Sequence, residues 1–215
     1  MLRHRALIVL LLLPGSAPLL AQDAGSFAVL HEGDTVAVER FERLDVQLAG
    51  NLIRVAGPTR ERIRYRATLV EDESAPLVEF SVWREEDPDS APARQNARVI
   101  FKDDSVAVDD ASRSNAMTRL FATERGAIPY LNLSFAFLEL ATRRLAATGR
   151  DTLTVPFFNL GGGQTVAGKL RRIGADSATV QLGGVEFRLV VDRAGRIRGG
   201  SVPSQGLRIT RVTAR

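Results

Sequence analysis

The stretch Ala178-Thr179-Val180-Gln181-Leu182-Gly183-Gly184-Val185-Glu186-Phe187-Arg188-Leu189 decides how the rest of the chain is read. Apolar and polar residues alternate on both sides of Gly183-Gly184, and a glycine pair supplies the positive φ angles that a two-residue turn of the primed type needs. Folding about that turn pairs Leu182 with Val185, Val180 with Phe187 and Ala178 with Leu189 on one face. The other face receives Gln181 with Glu186 and Thr179 with Arg188. One face is apolar and one is wet, as an antiparallel sheet covering a single core requires.

The same period of two extends outward over most of the chain, broken by Gly, Pro, Asn and Asp clusters. A second hairpin is predicted from Arg62–Val70 and Leu77–Glu85, with Leu69 opposite Val78, Ala67 opposite Phe80 and Tyr65 opposite Val82 on the core face. Its outer face then stacks Arg62, Arg64 and Arg66. Arg64 lies opposite Trp83, the one tryptophan, for a cation–π contact, and Glu79 and Glu85 are at hand to pair the arginines. That row is a candidate anionic-surface patch. Gly50-Asn51 and Asp192-Arg193-Ala194-Gly195 read as turns. Glu86–Asn96, with two prolines and no periodicity, reads as a mobile insertion. The pattern Asp-Thr/Ser-x-x-Val recurs at Asp34, Asp104, Asp151 and Asp176, each time with a hydroxyl that can bond the backbone of a turn and launch a strand. Irregular spacing and the lack of an Asp-x-Asp-x-Asp loop argue for turns over calcium sites.

One segment breaks the pattern. Leu133–Ala147 has helical periodicity, with Asn132 or Ser134 as cap and Gly149 as stop, and should run about 22 Å. Leu133, Phe135, Phe137, Leu138, Leu140, Ala141 and Leu145 cover so wide an arc that this helix must be enclosed. Glu139 and Arg143, four apart, are expected to pair on its remaining polar stripe. The expected fold is mainly β: a single curved antiparallel sheet, a half-barrel of about 10–12 strands, wrapped around one apolar helix at about 133–147.

Residues 1–21 read as a cleaved secretory signal, and 22–215 as a single domain of 194 residues (215 minus 21). Arg3, His4 and Arg5 precede the apolar run Ala6–Leu13, far short of the roughly 20 residues that span a membrane. A Pro/Gly/Ser break leads to a cut between Ala21 and Gln22. Export to the periplasm or beyond is expected, with no transmembrane segment after cleavage. The chain has no cysteine, which removes a lipid-anchoring cysteine, a thiol nucleophile and a thiolate metal site.

His31 is the one histidine after the signal and sits before the turn-like Glu32-Gly33-Asp34, and no Gly-x-Ser-x-Gly elbow occurs. Catalytic chemistry, metal and cofactor are therefore not expected. Residues 22–111 hold 11 Lys/Arg against 19 Asp/Glu, a balance of −8, and residues 112–215 hold 16 against 6, a balance of +10. The two halves are expected to attract each other. Nothing in the chain reads as a nucleic-acid motif.

Pro129–Leu145 followed by Thr154-Val155-Pro156-Phe157-Phe158, then Asp192–Arg196 and the closing Leu207-Arg208-Ile209 strand, resembles exported bacterial β-rich families of unknown function. These are similar in turn to the half-barrel of the periplasmic lipoprotein carriers typified by LolA and LppX. The resemblance implies binding of an acyl chain or other lipid in the concavity. The inward residues that would line it are Tyr65, Phe80, Val82, Phe135, Phe137, Leu138, Val180 and Phe187. A non-enzymatic binding or envelope-structural protein is the first expectation. The alternatives are an accessory domain docking onto another exported protein, and a carboxylate hydrolase drawing a pair from Glu139, Glu186 and Asp192.

Overall fold

A computed structural model describes residues 22–111 and 117–212; the segment 1–21 expected to be a signal, with Ala21 at the expected cut, lies outside the described residues. The first half is an up-and-down meander of β1 (Gln22–His31), β2 (Asp34–Leu44), β3 (Gln47–Ala56), β4 (Thr59–Thr68), β5 (Leu77–Arg84), β6 (Gln95–Phe101), β7 (Ser105–Asp110) and β8 (Met117–Ala122). The short β9 (Ile128–Tyr130) leads into helix α1 (Phe135–Thr148). A second meander follows, of β10 (Thr152–Asn159), β11 (Thr165–Arg172), β12 (Ser177–Leu182), β13 (Val185–Val191), β14 (Ile197–Val202) and β15 (Leu207–Val212).

Among the described residues these form one 15-stranded sheet, because β1 pairs antiparallel with β15 and joins the two meanders. Only β9 and β10 run parallel, as the helical crossover between them demands. The sheet does not close by strand pairing. Its two ends nevertheless approach each other where Thr165 Oγ1 donates to the Ala122 carbonyl at 3.1 Å and the Phe121 and Phe158 rings meet at 5.8 Å.

The helix lies inside the curve. Phe135, Phe137, Leu138, Leu140, Ala141 and Leu145 are buried, and their rings touch strands of both meanders: Tyr65–Phe137 at 4.7 Å, Phe27–Phe135 at 5.8 Å and Phe135–Phe187 at 6.4 Å. Ser134 is the N-cap, its hydroxyl accepting from the Phe137 amide, and Gly149 stops the helix at φ 65°. Leu133, expected as the first helical residue, instead sits outside it at φ 67°, a conformation that branched residues seldom take.

The glycine-pair hairpin has the predicted register, Ala178 opposite Leu189 through Leu182 opposite Val185. All four Asp-Thr/Ser-x-x-Val copies stand at strand starts, those of β2, β7, β10 and β12. The second hairpin is shifted by two residues: Ala67 faces Val78, Tyr65 faces Phe80, Ile63 faces Val82 and Arg62 faces Trp83. The faces survive because a slip of two preserves the pleat. The cause is Leu69, which leaves β4 to donate its amide to the Val46 carbonyl at 2.7 Å, so the connection is longer than expected.

Gly50-Asn51 is not a turn but lies inside β3. The turn is Asp45-Val46, where Asp45 accepts φ 43° without glycine. Glycine stands at 50 because a Cβ there would come within 2.2 Å of Tyr65 Oη and 2.9 Å of the Arg40 carbonyl. The strands exceed the predicted dozen because turns of this kind, and the three-residue β9, leave little trace in a periodic pattern. The insertion ends earlier than expected, since Gln95 and Asn96 belong to β6, and it folds over β5: Ala91 accepts from Trp83 Nε1 at 3.0 Å. His31 closes β1 opposite Asp34, just before the Glu32-Gly33 turn.

Candidate binding site

Two buried polar stations hold the helix against the sheet. The first is Glu39, which β2 places inward between Ala37 and Phe41 with 1% of its surface exposed. Its carboxylate accepts from the Phe135 amide at 2.7 Å, the Ala136 amide at 2.9 Å, Tyr65 Oη at 2.7 Å and the Ser134 hydroxyl. The first turn of α1 carries no acid of its own. Glu39 supplies one from a distant strand, where unpaired amides and the positive end of the helix dipole favour an anion. Burial pushes the Glu39 carboxyl above its ordinary range, against the pull of these donors, and burial together with the Glu39 charge pushes the Tyr65 phenol well up.

The second station lies along the helix. Glu139 accepts from Arg143 Nη2 at 2.8 Å, Arg211 Nη1 at 2.7 Å and the Ile197 amide at 2.8 Å. Asp23 on β1 receives Arg143, Arg211 Nη2 at 2.9 Å and Arg196 Nε at 3.3 Å. Arg211 stacks over Phe41 at 5.1 Å and Phe27 at 5.5 Å. Burial raises the Glu139 carboxyl, opposed by the Arg143 and Arg211 charges. Asp23 comes from the acidic half and its three arginines from the basic half, so the charge asymmetry is consumed in part inside the fold. Glu139 and Arg143 do pair, but in the interior rather than on a solvated stripe.

Beyond this cluster a cleft opens between the C-terminal half of α1 and the sheet. Thr142, Leu145 and Ala146 form its helix side, and Arg172, Ala178, Val191 and Arg193 are among the residues opposite, around about 120 Å³. The Asp192–Gly195 turn closes one end, as predicted: Asp192 Oδ1 accepts the Ala194 and Arg196 amides at 3.0 and 2.9 Å. Gly195 presses on the helix so closely that a Cβ would meet the Thr142 carbonyl at 2.4 Å, and Thr142 Oγ1 donates to the Gly195 carbonyl at 2.6 Å.

No protein-family model matches the chain, and no curated protein does. Solved structures do. The chain is similar to a DUF1089 family protein from Pseudomonas aeruginosa, with TM-score 0.56 and 15% identity over 77% of this chain and 89% of that one. It is also similar to the β-barrel-like protein of the domain of unknown function DUF1849 from Brucella abortus, with TM-score 0.55 and 11% identity over 89% of this chain and 95% of that one. At these identities the likeness is one of fold: a β-rich, barrel-like architecture shared with families of unknown function.

The residues expected to line a ligand are placed together, but on one another. Tyr65, Phe80, Phe135, Phe137, Leu138, Val180 and Phe187 are buried in one continuous core and Val82 packs against it, so helix and strand side chains meet directly there. The three candidate acids are held apart in different partner sets: Glu139 as described, Glu186 with Arg188 at 2.7 Å, and Asp192 with its turn and Arg198 at 2.6 Å.

Arg62, Arg64 and Arg66 do share the outer face of β4. The carboxylate that pairs Arg62 and Arg64 is Asp89, not Glu79 or Glu85, and both guanidinium groups lie 5.4 Å from the Trp83 ring centre. Among the described residues no His/Cys/Asp/Glu group could hold a metal, and no helix is long and apolar enough to cross a membrane. Glu39, Asp23 and Arg211 were missed. The available signal was a charge at an inward position of an alternating strand, as in Ala37-x-Glu39-x-Phe41 and Leu207-x-Ile209-x-Arg211.

Proposed function

We propose that the chain is an exported, non-catalytic binding protein of the bacterial envelope, seating a short apolar group with an anionic end in the cleft between α1 and the sheet. The cleft carries the reading: Leu145 and Ala146 on the helix and Ala178 and Val191 on the sheet give it two apolar sides, and Arg172 and Arg193 stand among its lining residues. At about 120 Å³ it is smaller than the 300–1,000 Å³ typical of sites that enclose a whole ligand, so the end of a chain enters rather than its full length. The resemblance to the LolA and LppX carriers is part of this reading, with the seat moved from the filled Phe135–Leu138 region to the far end of the helix. Export is supported by the basic start and short apolar run of residues 1–21. A non-catalytic role is supported by the separate partners of Glu139, Glu186 and Asp192.

Mass spectrometry of an organic extract of the purified full chain, with displacement of a fluorescent fatty acid by octanoate, tests this. Saturable octanoate binding that weakens at least tenfold in Ala178→Phe and in Arg172→Ala/Arg193→Ala, at unchanged circular dichroism, is expected. A clean extract together with no octanoate binding overturns it. A second reading, an accessory domain docking onto another exported protein, is favoured by the exposed Ile173 and Val190 beside a groove of about 460 Å³ on β12–β14.

A further inference from the structure

On the outer face of the first meander, away from the cleft, the sheet brings arginines and one asparagine into a single cross-strand row. Arg40 on β2 faces Asn51 on β3, and Asn51 faces Arg64 on β4. Neighbouring strands lie about 4.8 Å apart, which puts the Arg40 and Arg64 backbones about 10 Å from each other with Asn51 between them. Because β3 offers only Ala49, Gly50 and Asn51 here, a trough remains between the long side chains. One part, about 410 Å³, runs over these three residues beside Arg64, Arg66, Glu79 and Ser81. The other, about 270 Å³, is bounded by Val38, Arg40, Asn51, Ile53, Arg60 and Glu85.

Asn51 is common to both parts, and its Oδ1 is buried with no hydrogen-bond partner. A buried lone acceptor in a strand is uncommon, and it needs a donor. The cations are not all matched either. Arg60 is paired by Glu85 and Arg64 by Asp89, whereas Arg40 and Arg66 are in no ion pair among the described residues.

We propose that this trough is a second binding site, taking a hydroxyl-bearing phosphate. The phosphate oxygens accept from the guanidinium groups of Arg40 and Arg66, which present planar forks of donors, and the adjacent hydroxyl donates to Asn51 Oδ1. The phosphoglycerol group, free or as a lipid headgroup, has this chemistry. Glu79, which faces Arg66 on β4 and Arg98 on β6 without a close ion pair to either among the described residues, sets the limit on how much negative charge the site accepts.

Calorimetric titration of the full chain with glycerol 3-phosphate, inorganic phosphate and glycerol forms one arm. Cosedimentation with phosphatidylcholine vesicles, with and without phosphatidylglycerol, forms the other. Binding of glycerol 3-phosphate at least tenfold tighter than inorganic phosphate, with the preference lost in Asn51→Leu, identifies a free ligand. Cosedimentation that requires phosphatidylglycerol and falls tenfold in Asn51→Leu, without binding of free glycerol 3-phosphate, identifies a headgroup. The exposed Arg40→Ala/Arg66→Ala variant must weaken whichever arm is positive by at least tenfold at unchanged melting temperature. No binding in either arm, equal affinity for glycerol 3-phosphate and phosphate, or indifference to these variants overturns the proposal.

Discussion

Replacing Glu39 by glutamine tests whether the helix is held by a carboxylate supplied from a strand. One oxygen accepts from Tyr65 and Ser134, and the other from the Phe135 and Ala136 amides. Glutamine can keep its oxygen on the Phe135 and Ala136 amides and turn its NH2 toward the Tyr65 and Ser134 hydroxyls, which accept as well as donate, so the bonds persist in neutral form and the negative charge at the helix start is lost. Bonds to a charged acceptor are worth about 1.5–3 kcal/mol and neutral ones about 1, and an anion at a partly buried helix start up to about 2, so the cost is roughly 2–3 kcal/mol, a large share of the whole stability of a domain of this size. Equilibrium unfolding in urea at neutral pH, followed by Trp83 fluorescence and far-ultraviolet circular dichroism, measures it. The slope should stay constant while the midpoint falls. Tyr65→Phe should cost about 1 kcal/mol by itself, and less in the Glu39→Gln background, because the two side chains share a bond. A midpoint for Glu39→Gln within error of wild type, or strict additivity of the two changes, would refute the argument that this carboxylate caps the helix.

Three further outcomes are expected. Gly50→Ala forces a methyl group against Tyr65 Oη, 2.2 Å away, and should cost about 2–3 kcal/mol by the same unfolding assay even though no turn is disturbed. Arg211→Met leaves Glu139 and Asp23 short of a buried partner and should cost about 3–5 kcal/mol, part of it recovered when Glu139→Leu is added. Partial burial acts to raise the Asp192 carboxyl, but the Arg196 amide and the Arg198 guanidinium outweigh it and hold the carboxyl below its ordinary range. A carboxyl lowered in the folded state contributes stability above its unfolded pKa, near 3.9, that is lost as pH falls through the folded one. Melting curves in acid should therefore drop less steeply below about pH 4 in Asp192→Asn than in wild type.

What the sequence made legible follows from how local the deciding interaction is. The Gly183-Gly184 hairpin was readable to the residue because its turn fixes its register, and Ser134 and Gly149 marked the helix because caps act within one turn. The hairpin of Arg62–Glu85 kept its faces but not its register. Its connection answers to Val46, on another hairpin, and a shift of two costs nothing in pattern.

Gly50 misled for the same reason: the glycine serves the Tyr65 ring on the neighbouring strand, and a sequence shows the glycine but not the ring it clears. The helix anchors lie furthest from view. Asp23 and Arg211 are 188 residues apart, and Glu39 and Ala136 are 97 apart, so no window of sequence holds both partners. Yet each left the same mark, a charge on the apolar side of an alternating strand. Burying such a charge is costly unless it is paired, so an inward Glu or Arg in a β pattern is itself a statement that a partner exists. In this chain the partner in both cases is the helix: Glu39 meets its first amides and Arg211 meets Glu139. The apolar arc that required enclosure and the charges that required partners are thus two readings of one constraint, the docking of α1 inside the sheet.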